Sequence, residues 1–478
     1  MELDKDLAAR QEARDLCVQG EKAQKILSQM PQEKLDTIVK SIADAFAASA
    51  KELARLAAEE TGFGNAPDKT EKNLFASRDV YAAIRDMKTV GVLSVNAQEK
   101  LWQIGVPVGL IAAIVPSTNP TSTICYKALI ALKAGNAIVF SPHPKALQCS
   151  LRAAKIVMDA ARAAGAPEGS VGCLSRASMA GCQELMAAPQ VKLILATGGP
   201  AMVRAAYSSG KPAIGVGAGN GPAYIHHSAD VEHALRCILR SKNFDYGTIC
   251  ASEQSIIVEK CMEDKVRSTA KTMGYYFMST EEAGKLASLL FKPNGTLNPQ
   301  IVGRPATELA KKAGFSVPAD TKILVAREQE AGPTRPYSME KLCPVLAFFV
   351  MENEDAVLSK AVEVLTHEGS GHTFAIHAQD RAVVKKFALQ IPVSRFPVNT
   401  PAALGGIGAT TGLFPALTLG CGAVGGSSTS NNISPLDLIN IRRVAWDNLE
   451  GQEKPHQEDL VELVTMRILE RLKKSAEC

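Results

Sequence analysis

Predominantly apolar runs alternate with segments of helical pattern between residues 104 and 200, and no other feature of the sequence constrains the fold as strongly. The apolar runs are 108–115, 137–140, 171–174 and 191–196. Segments with helical periodicity separate them at 121–133, 150–164 and 180–187. Strands that are apolar on both faces and joined by crossover helices form a parallel sheet covered on both sides. We therefore predict a doubly wound α/β fold whose ligands bind at the carboxyl ends of the strands.

A second α/β region begins near residue 226. Helical patterns occur at 231–241 and 261–273, and the predicted strands are 256–258, 322–325, 345–350 and 373–376. The residues before 62 carry the apolar spacing of an amphipathic helix. Because 478 residues exceed what one ordinary core accommodates, we expect two domains or more.

The composition excludes several classes of protein. The net charge is +4 with both signs interspersed, and no basic block predicts nucleic-acid binding. No apolar run is long enough to span a membrane, and the amino terminus lacks the apolar core of a secretory signal. The eleven cysteines show neither CxxC pairs nor Cys/His ligand spacing. We therefore expect reduced thiols, a cytoplasmic location and no metal site.

Polar or glycine-rich turns follow three of the predicted strands. They are Pro116-Ser117-Thr118-Asn119, Ser141-Pro142 and Thr197-Gly198-Gly199. The Asn119 amide could donate to a developing oxyanion, although an N-cap is the more frequent role of an Asn in such a turn. The glycines before a helix could present backbone N–H groups to a pyrophosphate. Together, the three turns predict a dinucleotide site at one edge of the sheet.

Two further glycine runs have different interpretations. The run 215–222 lies between the two α/β regions and could let a cofactor approach the backbone closely. The run 420–425 matches GxGxxG, but the residues after it do not have a helical pattern. Because the dinucleotide fingerprint requires strand, turn and helix in that order, we predict that this second run is a loop.

Cys250 lies between turn-forming residues and the strand 256–258. A thiol held by a rigid element beside a cleft is placed as a catalytic nucleophile would be. Most cysteines of a reduced protein, however, are small buried apolar residues. The local spacing leaves both interpretations open.

Taken together, these segments resemble the aldehyde dehydrogenase superfamily and, within it, the coenzyme A-acylating branch, from about residue 15 to 446. That branch includes the acetaldehyde and propionaldehyde dehydrogenases of bacterial microcompartments. The motifs that carry the resemblance are Glu60-Thr61-Gly62-Phe63-Gly64, Pro116 to Pro120, Ser141 to Pro144, Thr197-Gly198-Gly199, Gly217 to Asn220, Thr248 to Gln254, Glu340 to Pro344 and His367 to Thr373.

The resemblance implies an aldehyde dehydrogenase-like α/β fold with two doubly wound Rossmann-type domains and a small oligomerisation hairpin. The NAD-binding domain would span 1–225 with the hairpin at about 88–106, and the catalytic domain would span 226–415. Residues 416–446 would return to the NAD-binding and oligomerisation region. A homodimer or homotetramer is expected.

The same resemblance assigns roles residue by residue. Cys250 matches the nucleophile, Asn119 the oxyanion-hole amide, Glu340 the acid that holds a ribose, and Thr197 to Gly199 the pyrophosphate turn. His372 would assist thiol chemistry or serve as a structural hydrogen-bonding residue. The other residues expected to bind the cofactor are Pro116, Ser117, Thr118, Ser141, Pro142, Val216 and Gly217.

One departure from the superfamily defines the expected reaction. Hydrolytic members carry a water-activating glutamate where this chain reads Val216-Gly217-Ala218-Gly219-Asn220. Without that base, the acyl-enzyme would persist until a thiol arrives. The expected function is reversible NAD-dependent oxidation of a short-chain aldehyde to acyl-CoA through a Cys250 thioester. The alternatives are a hydrolytic aldehyde dehydrogenase and a catalytically silent microcompartment cargo or scaffold protein. The identity of the aldehyde and the choice between NAD and NADP stay open.

The tail 447–478 is distinct from the rest of the chain. A polar linker leads to the segment 458–474, which has an apolar stripe at helical spacing, acidic residues at its start and lysines at its end. It resembles the encapsulation peptides of microcompartment cargo, which implies binding to shell proteins. Packing on its own oligomer is the alternative.

Overall fold

The computed structural model describes residues 4–447 and, beyond them, 461, 464–466 and 468–469. The helices, in chain order, are α1 Lys5–Leu27, α2 Gln32–Ala48, α3 Ala50–Thr61, α4 Ala66–Leu74, α5 Val80–Ile84, α6 Pro120–Lys133, α7 Leu147–Ala163, α8 Met179–Ala187, α9 Pro200–Tyr207, α10 Val231–Asn243, α11 Glu263–Lys271, α12 Thr280–Leu290, α13 Ala306–Lys312, α14 Glu354–His367, α15 Arg381–Ala388 and α16 Ala402–Gly406.

The strands are β1 Gly91–Asn96, β2 Leu101–Pro107, β3 Leu110–Val115, β4 Ile138–Pro142, β5 Val171–Cys173, β6 Val191–Thr197, β7 Ala213–Val216, β8 Gly221–Ile225, β9 Glu253–Glu259, β10 Tyr275–Phe277, β11 Ile323–Arg327, β12 Val345–Met351, β13 Gly371–Thr373, β14 Ala375–His377, β15 Val393–Arg395 and β16 Ile439–Ala445.

The first large sheet has the order β5-β4-β3-β6-β7, and its strands are parallel. Strands β3, β4, β5 and β6 lie at the four apolar runs that were predicted to be strands, which confirms those predictions. Every residue of β3 is buried, and so is every residue of α6, which packs against helices as well as strands. A helix that is buried on every face belongs to the interior of a protein, and here the buried residues include Lys127 and Lys133. The turn between β3 and α6 is therefore fixed from both sides.

The second large sheet has the order β10-β11-β12-β9-β8-β14 and is also parallel. Strands β7, β8 and β10 were not predicted. The glycine run 215–222 overlaps β7 and β8 and weakens their strand pattern, and β10 has only three residues. Because β8 pairs with β9, the chain changes sheets between 216 and 221, slightly before the expected boundary at 225.

A small antiparallel sheet has the order β1-β2-β16. Strands β1 and β2 form the hairpin expected at 88–106, and β16 pairs with β2 across more than 300 residues of sequence. Trp102 and Trp446 meet edge to face, with ring centroids 5.0 Å apart. The residues up to 446 therefore return to the hairpin and complete the small sheet.

The amino-terminal block consists of separate helices instead of one long helix. α2 ends at Ala48 and α3 begins at Ala50, with Ser49 between them. α4 continues through a π-helical turn, Phe75–Asp79, into α5. Lys69 and Lys72 of α4 are each only 3% exposed, so this helix directs cations into the interior.

No helix among the described residues is long and apolar enough to cross a membrane. In the tail, residues 461, 464–466 and 468–469 are helical. Val461, Val464 and Ile468 of the predicted stripe are exposed in the monomer. The remainder of the predicted segment 458–474 lies outside the described residues.

Candidate active site

A cavity of about 310 Å³ opens at the carboxyl ends of β3, β6 and β7. Its wall combines the turns after these strands with the loops before β9 and β12. The residues singled out from the sequence that line it are Pro116, Ser117, Thr118, Asn119, Thr197, Gly198, Gly199, Val216, Gly217, Cys250 and Glu340. The fold thus brings one edge of the first sheet against the Cys250 loop.

Cys250 follows a tight turn, Phe244–Gly247, and precedes β9 by two residues. In that turn, Asp245 and Tyr246 adopt left-handed backbone angles, with φ of 48° and 50°. Burial raises the pKa of the Cys250 thiol to about 12, with a further contribution from the Glu340 carboxylate. A Cβ at Gly219 would lie 1.8 Å from the Cys250 carbonyl oxygen, so glycine is required where the 215–222 run passes the nucleophile.

Asn119 is the N-cap residue of α6, yet its side chain makes no capping hydrogen bond. Its Oδ1 instead accepts from the Lys72 ammonium at 2.6 Å, and its Nδ2 donates to the Thr248 carbonyl oxygen at 3.1 Å. The amide therefore joins the turn after β3 to the loop that carries Cys250. This geometry does not support a simple capping role.

The glycine turn after β6 leaves room for a ligand. Gly199 is the N-cap residue of α9, and Cβ atoms added at Gly199 or Gly217 would meet nothing within 4 Å. Backbone N–H groups at a helix amino terminus favour an anion. The residues present therefore fit the pyrophosphate of a dinucleotide.

Glu340 is the one carboxylate among the described wall residues. Its Oε1 accepts from the Gly219 N–H at 2.8 Å, and its own N–H donates to Glu368 at 2.7 Å. Burial, with Glu368 nearby, raises the pKa of Glu340 to about 8. The side chain is thus held at the junction of the glycine run and the cavity.

Three of the residues singled out from the sequence do not line the cavity: Ser141, Pro142 and His372. His143, two residues after Ser141, does. The His372 ring is fully buried, with Nδ1 2.9 Å from Thr373 Oγ1 and Nε2 without a hydrogen-bond partner. Burial lowers the pKa of His372 to about 3, so the ring is neutral at physiological pH.

A buried charge cluster lies behind Asn119, which the residue spacing in the sequence did not predict. Asp245 Oδ2 accepts from Lys69 at 2.9 Å and from Lys72 at 2.5 Å. Thr248 Oγ1 accepts from Lys72 at 2.8 Å and donates to the same carboxylate at 2.7 Å. Two lysines three residues apart share a helix face, but that spacing is equally typical of a solvated surface.

The GxGxxG match at 420–425 is a loop, as predicted. It contains a short 3₁₀ turn, Ala423–Gly425, and lies outside the large sheets. The buried Arg395 guanidinium donates to the Gly420 carbonyl oxygen at 2.6 Å. The glycines of this run therefore serve close backbone packing and not a phosphate site.

His226, His227 and Glu259 form a group with metal-ligand chemistry away from the cavity, which the sequence spacing did not reveal. Glu259 already accepts from the Tyr224 hydroxyl at 3.0 Å, and His227 Nδ1 lies 2.8 Å from its other oxygen. His226 Nδ1 accepts from the Ser228 N–H, which leaves the proton of the neutral ring on Nε2. His226 Nε2 has no hydrogen-bond partner among the described residues, and Glu354 Oε2 lies 3.6 Å from it.

A model of the aldehyde dehydrogenase family matches residues 5–274. The bifunctional aldehyde-alcohol dehydrogenase of Escherichia coli K12 is 45% identical over 429 residues, which are 89% of this chain and 48% of that protein. The chain spans about half the length of the first curated relatives it matches.

Solved structures align over nearly the whole chain. The crystal structure of an acetylating aldehyde dehydrogenase from Geobacillus thermoglucosidasius is 48% identical with a TM-score of 0.92, covering 95% of this chain and 100% of that one. A Rhodopseudomonas palustris propionaldehyde dehydrogenase, solved with bound CoA and an acylated cysteine, is 29% identical with a TM-score of 0.82. That alignment covers 91% of this chain and 97% of the other.

Proposed function

Since this chain belongs to the aldehyde dehydrogenase family, we propose that it reversibly oxidises a short-chain aldehyde to acyl-CoA, with NAD⁺ as oxidant and a thioester on Cys250 as intermediate. The observation that carries the proposal is the composition of the cavity wall. It holds a thiol and an amide donor, and the stretch 216–220 beside them has no carboxylate.

The first stage uses Cys250 and Asn119. The Cys250 thiolate attacks the aldehyde carbonyl carbon, and the Asn119 amide donates to the oxygen that becomes negative. Collapse of this adduct restores the carbonyl, expels hydride from the carbon and leaves an acyl group on Cys250 Sγ. NAD⁺, when bound, accepts the hydride. Glu340 and the turn Thr197 to Gly199 would hold it, since a buried carboxylate suits ribose hydroxyls and the open glycine turn suits a pyrophosphate.

In the second stage the thiol of coenzyme A, as thiolate, attacks the thioester carbonyl, and Asn119 again donates to the oxyanion. The bond to Cys250 Sγ breaks, and the released thiolate is ready for another aldehyde. Water competes poorly with a thiolate here, because no general base is available in the stretch 216–220 to activate it. Thioester chemistry of this kind is supported by the acylated cysteine of the Rhodopseudomonas palustris relative.

The proposed residue roles include those outside the cavity wall. His372 is proposed as a structural hydrogen-bonding residue, because its ring is buried and neutral. Ser141 and Pro142 are proposed to support the cavity from behind, since His143 of the same turn reaches the wall. If turnover needed His372 as a general acid or base, the structural role proposed for His372 would be wrong.

Assembly and location complete the proposal. The antiparallel sheet β1-β2-β16 has an open edge on each side, which supports a homodimer or homotetramer built through it. The exposed stripe of Val461, Val464 and Ile468 supports docking on a shell protein of a bacterial microcompartment in the cytoplasm.

The test is a steady-state assay with acetaldehyde and propionaldehyde, in the presence and absence of coenzyme A. We expect continuous NADH formation and acyl-CoA only when coenzyme A is present. Without it, NADH should stop at about one equivalent per Cys250, because the thioester cannot turn over. Cys250→Ser is the matched control and should remove both signals. Sustained NADH with a carboxylic acid product would establish hydrolysis instead, and a folded protein without any NADH would establish a silent scaffold.

A further inference from the structure

The Lys72 side chain lies between the amide of Asn119 and the loop that carries Cys250. An ammonium group has three N–H donors, and each of those on Lys72 finds an acceptor. They are Asn119 Oδ1 at 2.6 Å, Asp245 Oδ2 at 2.5 Å and Thr248 Oγ1 at 2.8 Å. Lys72 also lines the cavity. A buried cation with every donor engaged holds its partners in a fixed geometry.

These contacts decide which way the Asn119 amide faces. Lysine cannot accept a hydrogen bond and a carbonyl oxygen cannot donate one. Rotating the amide by half a turn would place its NH₂ against the Lys72 ammonium and its oxygen against the Thr248 carbonyl. Only one orientation is therefore compatible with both neighbours, and it keeps Oδ1 on Lys72 and Nδ2 on the Cys250 side.

One donor of the oriented amide is loosely engaged. Nδ2 donates to Thr248 O at 3.1 Å and lies 3.3 Å from Thr118 Oγ1, the second distance being longer than an ordinary N–H···O bond. That weaker contact is the one a substrate oxygen could replace. Charge on the opposite end of the amide also polarises the N–H and strengthens it as a donor.

We propose that Lys72 is a positioning residue that acts through Asn119, fixing and polarising the amide that stabilises the oxyanion. The proposal rests on the function proposed above for Asn119. Asp245 keeps the cation in place, and Lys69 supplies a second positive charge to the same carboxylate. Asp245 Oδ1 accepts from the Asn65 N–H at 2.8 Å, which fixes the other end of the carboxylate.

The first test compares Lys72→Met with Lys69→Met. Both variants remove one cation and leave Asp245 paired with the other lysine, so the cost of the buried charge is similar. Only Lys72 contacts Asn119, whereas Lys69 donates to the Thr118 carbonyl oxygen at 2.9 Å. We expect kcat of Lys72→Met to fall by about 10²-fold, the usual effect of misplacing a catalytic group, with little change in the KM for aldehyde. The loss in Lys69→Met should be clearly smaller.

The second test asks whether Lys72 acts through Asn119. Asn119→Ala alone should lower kcat by about 10²–10³-fold, the contribution of one oxyanion donor. Adding Lys72→Met to it should cost nothing more, because the amide that Lys72 positions is already absent. Multiplicative losses in the double variant would overturn the proposal, as would wild-type kcat in Lys72→Met.

One further variant and one further measurement keep the test decisive. Lys72→Gln retains a donor for Asn119 Oδ1 and should recover part of the activity lost in Lys72→Met. If Lys72→Met does not fold, Lys72→Gln takes its place in the comparison of the single and double variants. The alkylation rate of Cys250, measured on its peptide in every variant, reports on the loop independently of turnover. A rate equal to that of the wild type shows that the loop is intact. If Asn119→Ala kept the wild-type kcat, the oxyanion role proposed for Asn119 would be wrong. If Asn119→Ala lost activity as expected but Lys72→Met kept the wild-type kcat, only the role proposed for Lys72 would be wrong.

Discussion

Cys250 is held in surroundings that suppress its thiolate. Burial accounts for most of the rise of its pKa to about 12, and the neighbouring Glu340 adds to it whenever that carboxyl is ionised. Glu340 itself has a pKa raised to about 8, so it is mostly neutral at pH 7 and mostly charged at pH 9. The free protein therefore keeps its nucleophile protonated, and ligands that occupy the cavity must favour the thiolate.

This electrostatic coupling predicts how the reactivity of Cys250 depends on pH. In the free protein, alkylation by iodoacetamide should rise about tenfold per pH unit up to about pH 7, because the thiolate fraction grows that way below the pKa. Between about pH 7 and pH 9 the rise should be less steep, because ionisation of Glu340 raises the pKa of the Cys250 thiol further. Glu340→Gln should leave the rate unchanged at pH 7 and raise it at pH 9, where the wild-type carboxylate repels the thiolate. Mass spectrometry of the Cys250 peptide measures both rates.

The exposed Cys261 provides the internal reference for this measurement. Its alkylation should be identical in the wild type and in Glu340→Gln at each pH. Equal rates of the two proteins at pH 9, or the same slope of Cys250 alkylation against pH in both proteins between pH 7 and pH 9, would contradict the coupling between Cys250 and Glu340.

At the scale of elements, the run 215–222 links the two large sheets and lies against the nucleophile. Val216 ends β7, Gly221 begins β8, and the residues between them pass the Cys250 backbone. Glycine at 219 allows that approach, whereas the neighbouring Gly217 faces open space. Two glycines in one loop thus have different physical roles: one is required by packing and the other leaves room for a ligand.

Replacing each of these glycines with alanine separates the two roles. Gly219→Ala should destabilise the protein by about 1–3 kcal/mol, the usual cost of overpacking, because its Cβ would meet the Cys250 carbonyl oxygen. Gly217→Ala should leave the thermal midpoint close to that of the wild type. Thermal unfolding of the three proteins measures the difference, and equal midpoints for the two variants would show that the backbone contact does not constrain residue 219.

The elements that the sequence predicts well are those with one dominant signal. β3 is apolar throughout and β4 to β6 are largely so, and α7 has a clear helical periodicity, so their positions agree with the structure within a few residues. β7 and β8 were missed because glycine obscures strand propensity. Lys72 and Asp245 were missed because their importance arises from contacts across 173 residues of sequence, which local spacing cannot reveal.

At the scale of the whole molecule, the small antiparallel sheet ends before the tail begins. β16 ends at Ala445, and Trp446 packs on Trp102, so the small antiparallel sheet is complete before residue 447. The described helical residues of the tail expose apolar side chains to solvent. An exposed apolar stripe after a completed fold is consistent with docking on a partner.

Deleting residues 447–478 should therefore leave the acyl-CoA assay and the oligomeric state unchanged, while the protein no longer co-purifies with microcompartment shells. The triple variant Val461→Glu, Val464→Glu, Ile468→Glu should release the protein equally, because it removes the apolar stripe without shortening the chain. Light scattering gives the oligomeric state, and co-sedimentation with co-expressed shells gives the binding. Loss of folding or of oligomers on deletion would show that the tail packs on its own assembly.

The Lys72, Asn119 and Asp245 contacts have a consequence for the order in which the protein matures. The three residues come from a helix before the first sheet, a turn inside it and the loop that leads into β9 of the second sheet. A nascent chain that has left the ribosome only as far as the end of β7 can form much of the first sheet but has no carboxylate to pair with its two lysines. The lysine that orients Asn119 therefore gains its buried carboxylate partner only when the second half of the chain supplies Asp245, in the same loop region as Cys250.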